Sequence, residues 1–370
     1  MGIILTYNNK LLLHNGKALK GESIYGVAWD GTSTTTWTRT DDAVGFSNPV
    51  PYMAGASSYG SPFDNIGPWK DMTVVEDSEA GTMVKIPKFY YLLKQSGNGL
   101  SIKISSTPRT GYSVCPACMD RGDGNGERDY ILVGRYHCGN GDNSTTAYKS
   151  VTGVLPDLAS TRSVARTSIH NLGTKVWQWD WATRFTIWLL YLVEYANWNS
   201  QTTIGYGCGS SSAVEVGASD SMPYHTGTMQ SSRATSAVGV QYRNIEGLWD
   251  NCHDYLDGCY NNANGLNIIL NPTNFSDSAN GITVGVPCSG FPSVFTRYAV
   301  NGTFPLFIGT VAEGSGSTYS CDYWGFNSSK SCIECGGSYG STMNFGLFYF
   351  TSIASNGGSS ACGCRLMKLP

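Results

Sequence analysis

Residues 181–197 constrain the fold more than any other stretch of this chain. Phe185, Leu189, Leu192 and Ala196 recur at i, i+4, i+7 and i+11, the spacing of one helical face. Trp188, Tyr191 and Tyr195 widen that stripe until almost no polar face is left. Such a helix must be buried, and the rest of the sequence offers sheet to bury it. Gly accounts for 45 of the 370 residues, which favours turns and strands over further helix. The fold class expected is therefore α+β.

With 41% apolar residues, the chain can bury one large core or two modest ones. Charged residues make up only 14%, the net charge is −3, and the few Lys and Arg are dispersed. That is not a nucleic-acid footprint. No apolar run approaches the length needed to span a bilayer, so no membrane insertion is expected. Residues 1–13 show neither a basic n-region nor a small-residue cleavage site, and no signal peptide is read there.

Residues 1–22 alternate apolar and polar positions (Ile3, Leu5; Leu11, Leu13), with Asn8-Asn9 and Asn15-Gly16 placed to close hairpins. This β-hairpin arm is read as an attachment or assembly element, or else as an edge hairpin of the domain that follows, 23–370. Within that domain, Thr40 or Asp41 is a candidate cap for a short helix over residues 36–43. Residues 83–91 and 130–136 read as strands. The acidic stretch 120–129 (DRGDGNGERD) has Arg128 where a calcium loop opened at Asp123 demands Gly, and no closing Glu. It reads as a turn.

The last fifty residues differ in character. Between residues 317 and 364, Tyr319, Tyr323, Trp324, Phe326, Tyr339, Phe345, Phe348, Tyr349 and Phe350 stand among Ser, Gly, Asn and Cys, almost without charge. Rigid aromatics set among small adaptable polar groups are the composition of evolved binding loops. An ordinary aromatic core under a Gly/Ser-rich terminus gives the same composition. Residues 321–326, 345–350 and 364–369 read as strands, with Gly336-Gly337 and Gly357-Gly358 as turns or close-approach points.

Twelve cysteines include two CxxC pairs, Cys115-Cys118 and Cys332-Cys335, which lie more than two hundred residues apart. Zinc-ribbon spacing is absent, and mostly free, buried thiols are expected. His14, His137, His170, His225 and His253 are scattered, without an HxH or HxxxH spacing. Cys252, His253 and Asp254 are adjacent, and neighbours on a strand point to opposite faces, which separates nucleophile from base.

Gly336-Gly337-Ser338-Tyr339, Asn344 to Tyr349 and the closing Gly363-Cys364-Arg365-Leu366 resemble the end of a C-type-lectin-type domain of the formylglycine-generating-enzyme subtype. Residues 86–90, 201–209 and 242–258 are similar to other segments of that superfamily, so the resemblance covers about residues 25–370. More narrowly, the chain resembles the variable proteins of diversity-generating retroelements, many of them phage tail receptor-binding proteins. The resemblance implies a twisted antiparallel sheet flanked by two helices, with long irregular loops, and a Trp and an Asn after residue 242 that pin loops to the sheet. It also implies randomisation of adenines near the 3′ end of the gene. From an AAC or AAT codon that process reaches Asn, Ser, Tyr, Asp, Gly, Cys, Phe, Thr and others, but never Lys, Glu, Met or Trp.

The enzymatic relatives carry two copper-binding cysteines on the strand before the closing Gly-x-Arg. Residues 345–354 contain no cysteine here, and Cys362 and Cys364 come too late. No catalysis, metal or cofactor is expected. The expected function is binding of a protein or glycan receptor on a cell surface, from a virion (phage tail) or a cell surface, as a homotrimer on a tail or fibre. An undiversified structural virion or surface protein and, less favoured, a formylglycine-generating-type oxidase are the alternatives. The expected ligand-facing set is Tyr319, Asp322, Tyr323, Phe326, Asn327, Tyr339, Ser341, Phe345, Leu347, Tyr349, Ser352 and Asn356. Phe348 and Phe350 are expected to face the core, and Trp324, Lys330, Glu334 and Met343 to be fixed scaffold.

Overall fold

The computed structural model describes residues 23–139, 148–158, 160–207, 211–232, 239–300, 302, 304–341, 344–354 and 361–370, with four two-residue strands before them. Short sheets dominate, and three α-helices lie among the described residues: α1 (Arg162–His170), α2 (Trp181–Tyr195) and α3 (Ser200–Thr203). The class is α+β.

All fifteen residues of α2 are buried. The Asp180 carboxylate caps its first turn by accepting from the Thr183 N–H at 2.9 Å, and Ala196 ends it in the left-handed conformation at φ 50°. Aromatic side chains close around it: Trp188 meets Phe307, Trp324 and Phe348, Trp181 meets Phe350, and Tyr191 meets Tyr242. The Trp69 indole donates to the Leu190 carbonyl. The helix is thus the axle of the main core, as its all-round apolar sequence requires.

Two five-stranded antiparallel sheets frame the first half of the chain. One runs Ser113–Val114, Tyr90–Ser96, Gly99–Ser105, Tyr25–Trp29, Thr38–Asp41; the other runs Val176–Gln178, Leu366–Lys368, Tyr130–Gly134, Gly81–Pro87, Thr73–Asp77. The helix expected over residues 36–43 is instead the edge strand Thr38–Asp41. β-branched threonines favour extended backbone, and pairing with residues 25–28 satisfies its amides. The expected strand 83–91 is broken after Pro87, and a second strand begins at Tyr90. Residues 120–129 form no strand or helix; Arg128 is paired with Asp123 inside the loop.

A six-stranded sheet ends the molecule, in the order Ser289–Gly290, Trp324–Gly325, Phe350–Ile353, Cys332–Cys335, His253–Leu256, Cys362–Gly363. The chain then leaves it at Cys364 and Arg365 and enters the second five-stranded sheet as Leu366–Lys368. Arg365 sits at that crossing, fully buried, donating to the carbonyls of Gly134, Arg135 and Glu246 and to the Asp254 carboxylate.

In the arm, Thr6–Tyr7 pairs with Lys10–Leu11 and Leu13–His14 with Lys17–Ala18, two hairpins in succession. Ile3, Leu5 and the turn residues Asn8-Asn9 and Asn15-Gly16 lie outside the described residues, as do Cys208, Met343, Asn356 and Gly357-Gly358.

Candidate functional site

The terminal sheet has two unlike faces. Trp324, Phe350, Ile333 and Cys335 belong to the core around α2, and Trp324 and Phe350 pack with ring centroids 4.9 Å apart. Strand alternation sends their neighbours the other way. The opposite face therefore carries Gly325, Thr351, Glu334 and Tyr255 in one row across four strands, through the pairs Gly325↔Thr351, Glu334↔Thr351 and Tyr255↔Glu334. At its ends Tyr323 packs edge-on against Phe291 at 5.6 Å, and Tyr349 stacks on His253 at 5.2 Å and packs at a tilt against Phe345 at 4.5 Å. A side chain at Gly325 would run into Thr351, whose Oγ1 lies 2.1 Å from where a Cβ would stand, with Tyr323 at 3.3 Å. Glycine is what lets this row close up.

The loop bearing Phe345 is held from beneath. The Asp322 carboxylate accepts from the Gly346 and Phe348 amides, both at 2.8 Å, and Ser200 Oγ of α3 accepts from the Leu347 amide at 2.9 Å. The Leu347 carbonyl accepts from the Trp188 indole at 2.9 Å and from the Arg184 guanidinium of α2. Burial pushes the Asp322 carboxyl up to about 7, against the pull of its two amide donors. Loops farther out are tied similarly. Trp249 donates to the Gly205 carbonyl, and Asn251 both accepts from and donates to the Val214 backbone.

The segment 345–350 is therefore not the strand expected of it; only Phe350–Ile353 is extended and paired. The Gly346, Leu347 and Phe348 amides are spent on Asp322 and Ser200, and the Tyr349 amide turns back to the Gly346 carbonyl, so these four are not free for a ladder. Strand alternation then fails as a guide. Leu347, expected outward, is fully buried, while Phe348 and Phe350 do face the core. Likewise 321–326 narrows to Trp324–Gly325.

Burial removes four residues from the expected ligand-facing set: Leu347, Asp322, Ser352 and Tyr349. Leu347 lies in the core, Asp322 is the buried loop anchor, and Ser352 is buried, its hydroxyl accepting from Asn261 Nδ2 and from the Asn327 amide. Tyr349 keeps only 6% exposure, at the base of the aromatic cluster. Burial, reinforced by the Glu334 charge, pushes its phenol well up. Tyr323, Phe326, Tyr339, Ser341 and Phe345 are half-buried, and Asn327 is exposed. Tyr319 is half-buried but packs edge-on against the core residue Trp29. Asn356 lies outside the described residues.

Six members of this face were not in that set. Gly325, Thr351, Glu334 and Tyr255 are placed there by pairing register. Phe291, from outside the terminal stretch, and His253, from the strand before it, are placed there by ring contacts.

No protein-family model matches the sequence, and no curated protein matches it. Function rests on this geometry. Among the described residues no cluster of His, Cys, Asp or Glu could hold a metal ion, and no helix is long and apolar enough to cross a membrane. All eleven described cysteines are free and buried. His253 donates from Nδ1 to the Gly336 carbonyl, and Cys252 packs beside Gly363, so neither meets the other as nucleophile and base.

Proposed function

We propose that this chain is a non-catalytic receptor-binding protein that displays a diversified surface on a C-type-lectin-type scaffold. The observation that carries the reading is the two-faced terminal sheet. One face is locked into the α2 core; the other offers Tyr323, Thr351 and Phe345 around a close-packed row, with Asn327 and Tyr339 on the flanking loops. The residues that hold these loops, Asp322, Ser200, Arg184 and Asn251, are buried polar groups whose bonds go to backbone atoms. Side chains above them can change with little effect on those bonds, which is the division of labour a diversified binder needs.

The family suggested by the sequence supplies the mechanism of change, adenine-directed randomisation by a retroelement. The chain would act on a phage tail or a cell surface, against a protein or glycan receptor, with the hairpin arm serving assembly as a homotrimer. Sequencing the DNA around the gene tests this. A near-copy of its 3′ end with adenines at the Tyr323 and Phe345 codons, beside a reverse-transcriptase gene, is expected. Absence of any such repeat would leave an undiversified surface protein on the same scaffold. Turnover of a cysteine-containing peptide after copper loading would instead favour the oxidase.

A further inference from the structure

The chain carries the CxxC spacing twice, and the fold gives the two copies opposite geometry. Cys332 and Cys335 lie on one extended strand, where side chains three apart point to opposite faces and three residues span about 10 Å. A disulfide needs Cα atoms no more than about 7 Å apart, so that pair cannot close. Cys115 and Cys118 instead bracket a tight turn. The Cys118 N–H donates to the Cys115 carbonyl at 3.0 Å, a closure that brings the two Cα atoms within about 7 Å. Their side chains are hydrogen-bonded to each other, the Cys118 thiol donating.

The turn is braced in this shape. The Ala117 N–H donates to Thr186 Oγ1 of α2 at 3.0 Å, and the Cys115 N–H to the Phe89 carbonyl at 2.8 Å. Just beyond it, Arg121 pairs at 2.6 Å with Asp180, the cap of α2. Two thiols already in contact across so short a loop lose little chain entropy on joining.

We propose that Cys115 and Cys118 are a redox-active dithiol that closes to a reversible disulfide, with a small-molecule disulfide of the glutathione class as oxidant. Although burial opposes it, the bond from Cys118, backbone amides and the Arg121 charge hold the Cys115 thiol below its usual range. The same bond, and then burial, push the Cys118 thiol up. Cys115 is thus the attacking thiolate and Cys118 the resolving thiol. The Cys115 thiolate displaces one half of the oxidant as a thiolate and leaves a mixed disulfide. Cys118 then gives up its proton, attacks the Cys115 sulfur and expels the other half. Two protein thiols become one disulfide, and the oxidant becomes two thiols. Val114 and Met119, the residues flanking the pair, line an open cleft of about 790 Å3 that gives a molecule of that size a way to the turn. Both sulfurs are buried, so exchange waits on local opening and is slow.

A second thiol contact, Cys138 with Cys364, lies in the apolar cluster of Met83, Tyr148 and Ile169. Its bond to Cys138, burial, and the charges of Asp157 and Asp254 all push the Cys364 thiol up, which withholds the thiolate that exchange needs. The reactive pair belongs to the turn after Ser113–Val114, not to the terminal sheet, so its chemistry is independent of what that sheet binds.

The test is to equilibrate the full chain overnight in glutathione buffers of graded thiol-to-disulfide ratio, with its far-UV spectrum confirming that it stays folded. Acid quenching, alkylation in urea and peptide mass mapping then locate each bridge. In the most oxidising buffer a Cys115–Cys118 bridge is expected, roughly tenfold or more above any bridge made by Cys332, Cys335, Cys138 or Cys364, and excess reduced glutathione should reopen it. Cys118→Ser should trap Cys115 as its mixed glutathione disulfide, while Cys332→Ala should leave the bridge intact. Cys115 and Cys118 both alkylated at every ratio overturns the proposal, and so does a bridge that forms first at another pair.

Discussion

Arg365 and Asp254 meet at 3.3 Å with neither side chain reaching solvent, at the point where the chain passes from the terminal sheet into the second five-stranded sheet. The guanidinium spends its remaining donors on carbonyls of Gly134, Arg135 and Glu246 and lies over the Trp179 ring. Although burial opposes ionisation of Asp254, Arg365 and then His137 hold its carboxyl below the usual range. Removing the arginine strands a buried charge and several carbonyls together. Arg365→Met should cost about 3–5 kcal/mol in urea unfolding, and Arg365→Lys should recover little, because an ammonium cannot reproduce the planar fork. A loss under 1 kcal/mol would contradict this role.

Asp322 gives a pH signature of opposite sign. Burial raises its folded carboxyl from 3.8 to about 7, so between those values the folded state holds a proton that the unfolded state has released. Its contribution to stability is complete below about pH 4 and falls as pH rises toward 7. Asp250 behaves alike, for the same cause. Asp322→Asn should flatten the stability-against-pH curve over this window by up to about 1.4 kcal/mol per pH unit. An unchanged slope in equilibrium unfolding would mean that Asp322 is ionised throughout.

Leu347 and its neighbours separate frame from display. Leu347→Ala empties core space beside α2 and should cost about 2–5 kcal/mol. Tyr323→Ala and Phe345→Ala, at half-buried positions over the outward row, should each cost about 1 kcal/mol or less. Unfolding curves for the three variants check the contrast. Comparable losses at all three would place Tyr323 and Phe345 in the core.

The thiols should be silent. Burial pushes Cys335 and Cys321 up to about 12 and Cys332 to about 11, and the thiolate is the reactive form. Apart from whatever Cys208 contributes, Ellman's reagent should label the native protein slowly and the urea-unfolded protein at once. Rapid stoichiometric labelling of any of the other eleven in the native state would contradict their burial.

Local pattern carried the parts of this fold that depend on local pattern. The periodicity of α2 predicted a buried helix, and Asn8-Asn9 and Asn15-Gly16 predicted two hairpins at the registers now seen. Helix α1 went unread because only Ala165 and Ile169 give it an apolar face; Thr161, which caps it, was the available signal. The loop 345–349 was misread for a different reason. Its Gly346 and Leu347 amides are claimed by Asp322 and Ser200, 24 and 147 residues away, and no local window contains those partners. The outward row was half legible. Aromatic composition pointed to the terminal stretch, but the place of Glu334 between Thr351 and Tyr255 depends on register across three strands.

The most direct measurement is deep sequencing of the 3′ end of this gene across a natural population of its copies. Substitutions should concentrate at codons for half-buried and exposed side chains of the terminal face, Tyr323, Asn327, Tyr339 and Phe345, and should spare the buried frame of Asp322, Trp324, Leu347 and Arg365 together with Glu334. Substitutions spread without regard to burial, or none at the first group, would contradict a diversified binding face.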